Sequence, residues 1–294
     1  MKVLVKLLSL TCLAWFALCI YANVSLTSEK GSVAEMTYLV VGFDESPANT
    51  DVLCVVTYDS DANTVRALQI PRDTAVKYGN DTMKINGYYS RKVAEGATHQ
   101  SALKALSNKI RTLFGIDVDG YVAVTTNGLR ELVDFLGGVY ISEGDVPNEL
   151  KGAFASNNGK IFLSGEDSLR FIRYRSDYVR GDLDRLDAQK TFIKALAHRI
   201  GAEKDVLRLI RFSSDLDSIT LDINRGSAFS FFISNVFQIG NADFQIATLP
   251  GKAVKHNDIW YYLVNKERSI ALIQGYFPGS YISFDEEDSL VYSF

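Results

Sequence analysis

The chain has 294 residues, enough for one large core or two modest ones, and its 47% apolar and 22% charged residues are those of a folded globular protein. Thirty-five acidic residues against 31 basic ones give a formal net charge of −4. That balance argues against a nucleic-acid binder, a class that carries a basic domain or stripe.

In chain order, Lys2 and Lys6 come first, and a run from Leu7 to Ser28 follows that holds no charge. About twenty apolar residues at 1.5 Å each span a bilayer core of roughly 30 Å, and lysines on the N-terminal side predict a cytoplasmic N-terminus with the remainder outside. A cleaved signal peptide fits less well, because Ile20 stands where a cut after Ala22 requires a small residue. The expected organisation is a membrane anchor over 1–28, a tether over 29–36 and an extracytoplasmic domain over 37–294. Cys12 and Cys19 fall inside the anchor, so Cys54 is alone in the domain; set in VLCVVTY, it reads as a small buried core residue rather than a nucleophile.

TYLVVGF (37–43) and VLCVVTY (52–58) are continuous apolar runs of strand length, which predicts central strands covered on both faces. DSDAN (59–63) turns the chain into a third strand, TVRALQI (64–70), which Pro71 ends. Ala102, Leu103, Leu106, Ile110 and Leu113 recur at helical spacing between Thr98 and Phe114, and Gly115 stands where a C-cap glycine belongs. Then come a strand over 121–126, a helix over 127–138 and a strand over 139–142. Ser164, with Asp167 three residues on, resembles a capping box that opens a helix at Gly165. The tail predicts a helix from Leu183 to Ile200, another over 227–238, a strand over 243–249 and a last helix over 266–275. Strands alternating with helices predict an α/β fold. We expect an α-β-α sandwich around a central mixed sheet, preceded by one N-terminal transmembrane helix.

RFIRYRSDYVRGDLDR (170–185) places five arginines in sixteen residues. On a continuing helix Arg173 and Arg175 would point about 200° apart, whereas in an extended segment i and i+2 share a face. A pair serving one anion therefore requires the helix to end near Ile172. Arg185 falls in the first turn of the next helix, where a bound anion would also meet free backbone N–H groups. The guanidinium fork meets phosphate oxygens bidentately, so phosphate is the anion that fits. Arg170 and Arg180 read instead as surface ion-pair partners of Asp177, Asp182 and Asp184.

Asp44 follows the first strand, Asp51 opens the second and IPRD (70–73) ends the third. In α/β sheets, strand ends and the loops beyond them bind ligands. Two carboxylates flanking one loop suit Mg²⁺, with arginines on phosphate oxygens, a division of labour used in phosphoryl transfer. His99, His198 and His256 are too scattered for a zinc site.

Taken together, YLVVGFDES (38–46), Thr50-Asp51, IPRDT (70–74), KINGYY (84–89), LFGIDVDGYVAV (113–124), LVDFLGGVYI (132–141), LSGEDSLRFIRYR (163–175) and GDLDR followed by Gln189 resemble, in order and spacing, the LytR-CpsA-Psr family of cell-envelope phosphotransferases. The resemblance implies transfer of a glycopolymer from a polyprenyl-pyrophosphate carrier to peptidoglycan through a phosphodiester bond, at the outer face of a bacterial cytoplasmic membrane. It implies Asp44 and Asp51 at a Mg²⁺ (or Mn²⁺) site, Arg72, Arg173, Arg175, Arg185 and Gln189 on the pyrophosphate, and Asp73 orienting the arginines. Asp51, Arg72 and Arg185 are the expected catalytic residues, and a membrane lipid tail the expected contact of an apolar cavity. Asn49 and Ala188 stand where the family carries arginine, and Asp184 where it carries glycine, with Lys84, Arg180 and Lys190 as nearby substitute cations. Two other readings stay open: a phosphohydrolase in which water replaces the sugar hydroxyl, and a non-catalytic envelope scaffold or sensor that binds lipid-linked intermediates.

Overall fold

A computed structural model describes residues 35–43, 50–146, 148–150, 152–174, 182–203, 219–221, 235, 238, 241–280 and 291–292. The expected membrane anchor, Asp44, Asn49, Arg175, Arg180 and nearly all of the expected helix over 227–238 lie outside this set, as does the side chain of Arg185. Among the described residues no helix is long and apolar enough to cross a membrane.

The chain opens with β1 (Glu35–Phe43), β2 (Thr50–Asp59) and β3 (Thr64–Gln69), the three apolar runs expected from the sequence. Glu35 and Met36, assigned above to the tether, already pair with β2. The hairpin β4 (Ala75–Tyr78) and β5 (Asp81–Lys84) and the helix α1 (Tyr88–Ala94) follow. Helix α2 (His99–Phe114) is bounded as its sequence dictates: Thr98 caps its first turn, accepting from the Ser101 N–H at 3.2 Å, and Gly115 leaves it at φ +64°. Its apolar stripe, Ala102, Leu103, Leu106, Ile110 and Leu113, is fully buried, each leucine or isoleucine contributing about 1.5–3 kcal/mol.

Next come β6 (Gly120–Thr125), α3 (Thr126–Phe135), β7 (Val139–Ser142), β8 (Ser156–Asn157), β9 (Lys160–Leu163), α4 (Gly165–Arg173) and α5 (Asp182–Gly201). The rest is β10 (Ile219–Leu221), β11 (Asp243–Thr248), β12 (Gly251–His256), β13 (Ile259–Asn265), α6 (Lys266–Tyr276) and β14 (Val291–Tyr292).

The central sheet has the order β10-β6-β1-β2-β3-β11 and is mixed, with β1–β6 and β3–β11 parallel and the other neighbours antiparallel. β1 and β2 sit at its centre, which is why their sequences carry no polar alternation. One face packs Leu39, Val41, Phe43, Leu53, Val55 and Leu68 against α2 and α6. On the other, His198 of α5 stacks on Phe244 of β11 at 5.8 Å. Helices therefore cover both faces.

The strand expected over 139–142 forms as β7, but in a sheet of its own. β7 does not join the central sheet; it pairs with β9 in a separate three-stranded sheet of order β7-β9-β8. There Val139, Ile141, Ile161 and Leu163 meet Val133, Phe171, Ala188 and Phe192 in a second core. This core seats α3, α4 and α5, and so sets where the arginine segment leaves α4. The hairpin β12–β13, also absent from the sequence reading, turns through Asn257 and Asp258 at φ +47° and +63°, a left-handed pair suited to a two-residue hairpin loop.

Candidate active site at the sheet edge

The strand directions place the C-terminal ends of β1, β3, β6 and β11 and the N-terminal end of β2 along one edge of the central sheet. Of the sequence-derived acids and arginines, the described ones, Asp51, Arg72, Asp73 and Arg173, lie there. Beyond β3 the Ile70 N–H still donates to the Leu53 carbonyl at 2.9 Å, after which Pro71, lacking an N–H, ends the ladder. The loop that follows is fixed from three sides. The Thr74 N–H and hydroxyl both donate to the Pro71 carbonyl, at 2.9 and 2.6 Å; the Asn86 N–H donates to the Arg72 carbonyl at 3.1 Å; and the Tyr262 N–H donates to the Asp73 carbonyl at 2.8 Å.

Held in this way, Arg72 donates from Nη1 to Asp51 Oδ1 at 2.8 Å. The Arg72 side chain is 25% exposed and that of Asp51 43%. An ion pair so open to water contributes about 0–1 kcal/mol to stability, so its consequence is orientation. Arg72 Nε is buried and has no hydrogen-bond partner. A guanidinium has five N–H donors, and among the described residues only Nη1 makes a hydrogen bond.

Among the described residues Asp73 makes its ion pair with Lys84, at 2.8 Å. The β4–β5 register explains it: Ala75 pairs with Lys84, which puts Lys84 beside the residues that open β4. The carboxylate that orients Arg72 is Asp51.

Helix α4 begins as its sequence indicates, with Ser164 Oγ accepting from the Asp167 N–H at 3.1 Å and donating to Asp167 Oδ2 at 2.8 Å. It ends at Arg173, and Tyr174 is extended at φ −58°, ψ 136°. The helix thus stops within a residue of the point that a paired arginine clamp requires. Arg173 Nη2 donates to Thr126 Oγ1 at 2.9 Å, and Thr126 Oγ1 donates to the carbonyl of Phe43 at 3.1 Å. That places Arg173 against the last residue of β1, next in sequence to Asp44. Gln189, expected on the pyrophosphate, donates from Nε2 to the Ile172 carbonyl at 3.3 Å and so ties α5 to the end of α4. Arg170 is ion-paired as expected of a bystander, but with Asp167 at 3.0 Å and over the Phe154 ring at 5.4 Å. Ala188 is wholly buried in the second core and displays nothing at the edge.

Two contributors were not found from sequence. Thr126 follows Thr125, which caps α3 by accepting from the Gly128 N–H at 3.1 Å; only the tertiary structure separates the capping threonine from the bridging one. Beneath Phe43, Tyr89 Oη lies 2.6 Å from His99 Nδ1, and His99 Nε2 lies 3.1 Å from Thr220 Oγ1. The Phe43 ring is 4.7 Å from Tyr89 and 6.0 Å from His99. Burial lowers the His99 pKa below its ordinary value and raises that of Tyr89. Cys54 is buried, its thiol pushed up to about 12 by desolvation, which suits core packing and not nucleophilic chemistry.

Comparison with known proteins agrees with this geometry. Cell wall biosynthesis protein LcpA of Corynebacterium glutamicum is 29% identical over 238 residues, which are 74% of this chain but 45% of that protein, so the chain spans about half of its length. The Bacillus subtilis protein TagU, named a polyisoprenyl-teichoic acid–peptidoglycan teichoic acid transferase, is 26% identical over 231 residues, 76% of this chain and 71% of its own. The crystal structure of protein gbs0355 from Streptococcus agalactiae superposes with a TM-score of 0.69 at 18% identity, covering 90% of this chain and 95% of that one, and shares the fold. A profile of the LytR_cpsA_psr family matches residues 23–274. Since that span runs from before β1 into α6 and takes in every described residue of the sheet-edge cluster, the chain belongs to the LytR_cpsA_psr family.

Proposed function

We propose that the protein is a membrane-anchored phosphotransferase that moves a glycopolymer from a polyprenyl-pyrophosphate carrier onto peptidoglycan. The observation that carries this reading is Arg72, a guanidinium oriented by Asp51, with a buried Nε that has no hydrogen-bond partner among the described residues. An unspent donor costs stability unless a ligand meets it, and the oxygens of a pyrophosphate are such ligands. Arg173 stands at the same edge through Thr126, and Arg175 and Arg185 are the further cations of the clamp. Membership of the family supports the same chemistry, as does the name of the TagU relative.

In the proposed reaction an acceptor hydroxyl attacks the sugar-side phosphorus. A phosphorus–oxygen bond forms to the acceptor and one breaks to the polyprenyl phosphate, which leaves with the electron pair. The hydroxyl proton passes to a carboxylate at the edge, for which Asp51 is the described candidate. Arg72, Arg173 and Arg185 offset negative charge as it shifts onto the leaving oxygens.

A Mg²⁺ ion fits the chemistry of the donors. It takes hard oxygens, is commonly held by one or two carboxylates plus substrate phosphates, and keeps several waters. Asp51 supplies one partly exposed carboxylate and Asp44 would supply the second. Among the described residues no group of three or more metal-ligating side chains exists, so the ion would depend on the substrate for the rest of its shell. When bound, it would supply additional positive charge to the phosphate oxygens. The uncharged run over 7–28 would hold the catalytic domain at the outer surface of the membrane, where the carrier lipid lies.

The test is transfer by the purified full chain, given a polyprenyl-pyrophosphate glycan, Mg²⁺ and a peptidoglycan acceptor. Asp51→Ala and Arg72→Ala are each expected to lower the rate by about 10²- to 10³-fold. Equal product from these variants would refute the assignment, and glycan release that ignores the acceptor would identify a hydrolase.

A further inference from the structure

The edge that carries Arg72 is the end of β1 farther along the chain from the uncharged run over 7–28. Glu35 opens β1 and Phe43 closes it, so at about 3.3 Å per extended residue its two ends lie roughly 26 Å apart. The six residues 29–34 add a reach of at most about 21 Å. A carrier whose lipid stays in the bilayer presents its pyrophosphate at the bilayer surface. An anchored domain therefore brings its active edge to that surface by leaning over, and a second membrane contact at the edge would hold it there.

The β12–β13 hairpin stands at that edge. Tyr262 donates from its N–H to the Asp73 carbonyl at 2.8 Å, bridges in parallel to Thr74, and donates from its hydroxyl to the Leu249 carbonyl at 2.7 Å. At the base the Asn265 N–H donates to the Pro250 carbonyl at 2.8 Å. Gly251 permits the close approach, since a Cβ there would lie 2.4 Å from the Leu263 carbonyl oxygen. Hairpin base and site loop thus form one hydrogen-bonded unit.

The tip is built differently. Every residue from Lys255 to Trp260 is exposed, Ile259 at 46% and Trp260 at 55%. His256 pairs with Ile259 and Lys255 with Trp260, and successive strand residues point to opposite faces. Large apolar side chains are therefore exposed on both faces of the tip. A groove or a stacked sugar would cover one face, whereas the interfacial layer of a bilayer surrounds both. Lys255 Nζ meets Asp258 Oδ1 at 2.8 Å, so the one lysine and the one carboxylate of this six-residue tip offset each other.

We infer that the tip of the β12–β13 hairpin is a second membrane contact, in which Ile259 and Trp260 enter the bilayer interface and hold the Arg72 loop at the level of the carrier's pyrophosphate. Tryptophan, apolar in body and polar at its N–H, is the side chain that favours this layer. A weak contact suffices, because the anchor already confines the domain to the surface and makes the second contact intramolecular. This inference rests on the membrane-anchored reading proposed above and adds where the domain touches the lipid.

Trp15 and Trp260 are the two tryptophans of the chain, so Trp15→Phe leaves Trp260 as the reporter. The full chain with that substitution is reconstituted in phosphatidylcholine vesicles, with or without bromine on the upper acyl chain, and floated on a density gradient. Bromolipid should quench Trp260 emission by about half, as for a ring at the headgroup–acyl boundary, and equally at low and high salt because the contact is apolar. Ile259→Ser should weaken the quenching and leave the melting temperature at the parent value. A chain that floats with Trp260 unquenched would overturn the contact and leave the anchor standing, whereas a chain that does not float would sink both. Protection of Trp260 from aqueous iodide without bromolipid quenching would also overturn it, and point to a second copy of the chain. Trp260→Ser should slow transfer from a long-chain carrier in vesicles about tenfold, the scale of one buried apolar side chain, yet leave transfer from a short-chain soluble carrier at the parent rate. Equal losses with both carriers would make Trp260 a substrate contact instead. Quenching without any transfer activity would retain the membrane contact and count against the catalytic reading.

Discussion

Arg72 and Arg173 reach one sheet edge by different routes, and the difference is testable at single side chains. Arg72 is aimed by a carboxylate, Asp51, whereas Arg173 is aimed by a hydroxyl, Thr126 Oγ1, that also holds the carbonyl of Phe43. A hydrogen bond from a charged donor contributes about 1.5–3 kcal/mol. Thr126→Val keeps the shape and removes the hydroxyl, so transfer is expected to fall at least tenfold, whereas Thr126→Ser should retain most of the rate. Equal rates in the two variants would mean that Arg173 does not depend on Thr126. The same scale shows where reading side chains from sequence stopped. Asp51 and Arg72 were legible as candidates because one opens a recognisable strand and the other follows the end of one. Their pairing with each other, and that of Asp73 with Lys84, depends on hairpin register and loop closure, which no local pattern encodes.

Among the elements, α1, α2 and β10 meet through one short polar chain, Tyr89–His99–Thr220, beneath Phe43. Burial disfavours the His99 imidazolium, so its folded pKa lies below the unfolded value near 6.5. Between the two values the unfolded chain binds more protons than the folded one, and stability therefore rises with pH across that window. The contribution is fully present above about pH 6.5 and is lost as pH falls toward the folded pKa. Denaturant midpoints measured from pH 7.5 down to 5 should drop below pH 6.5, and His99→Gln should flatten that part of the profile. A profile unchanged by the substitution would remove His99 from the account. Elements whose boundaries are written in local chemistry were readable. The Thr98 cap, the Gly115 exit and the Ser164–Asp167 box mark their helices to within a residue. The β4–β5 hairpin was not readable, because its four-residue strands lack the apolar run that identified β1 and β2, whereas β13, IWYYLVN, carries such a run and was missed beside the polar β12.

For the whole molecule, the α/β class and the mixed sheet followed from alternating runs, but the division into two cores did not. β7 carries the same apolar signature as a central strand, and only its pairing with β9 takes it into a separate sheet. That second core places the end of α4, and with it Arg173, against the first. The molecule's active edge is therefore assembled between two packed units rather than within one. The central sheet has a further property that concerns its making. β3 is completed by β11, whose Thr248 meets Gln69 across 179 residues of sequence. At roughly 5–20 residues per second, about ten to thirty-five seconds of synthesis separate the two strands, during which the outer edge of β3 has no partner. An unpaired apolar edge is a template for intermolecular pairing, and the one charge set into this strand is Arg66, midway along it. A chain ended before Asp243 should therefore be recovered as aggregate by size-exclusion chromatography, and Arg66→Val should worsen the yield of the full chain more than its stability. The parallel closure that completes the sheet thus makes biogenesis, rather than the finished fold, the vulnerable stage of this protein's life.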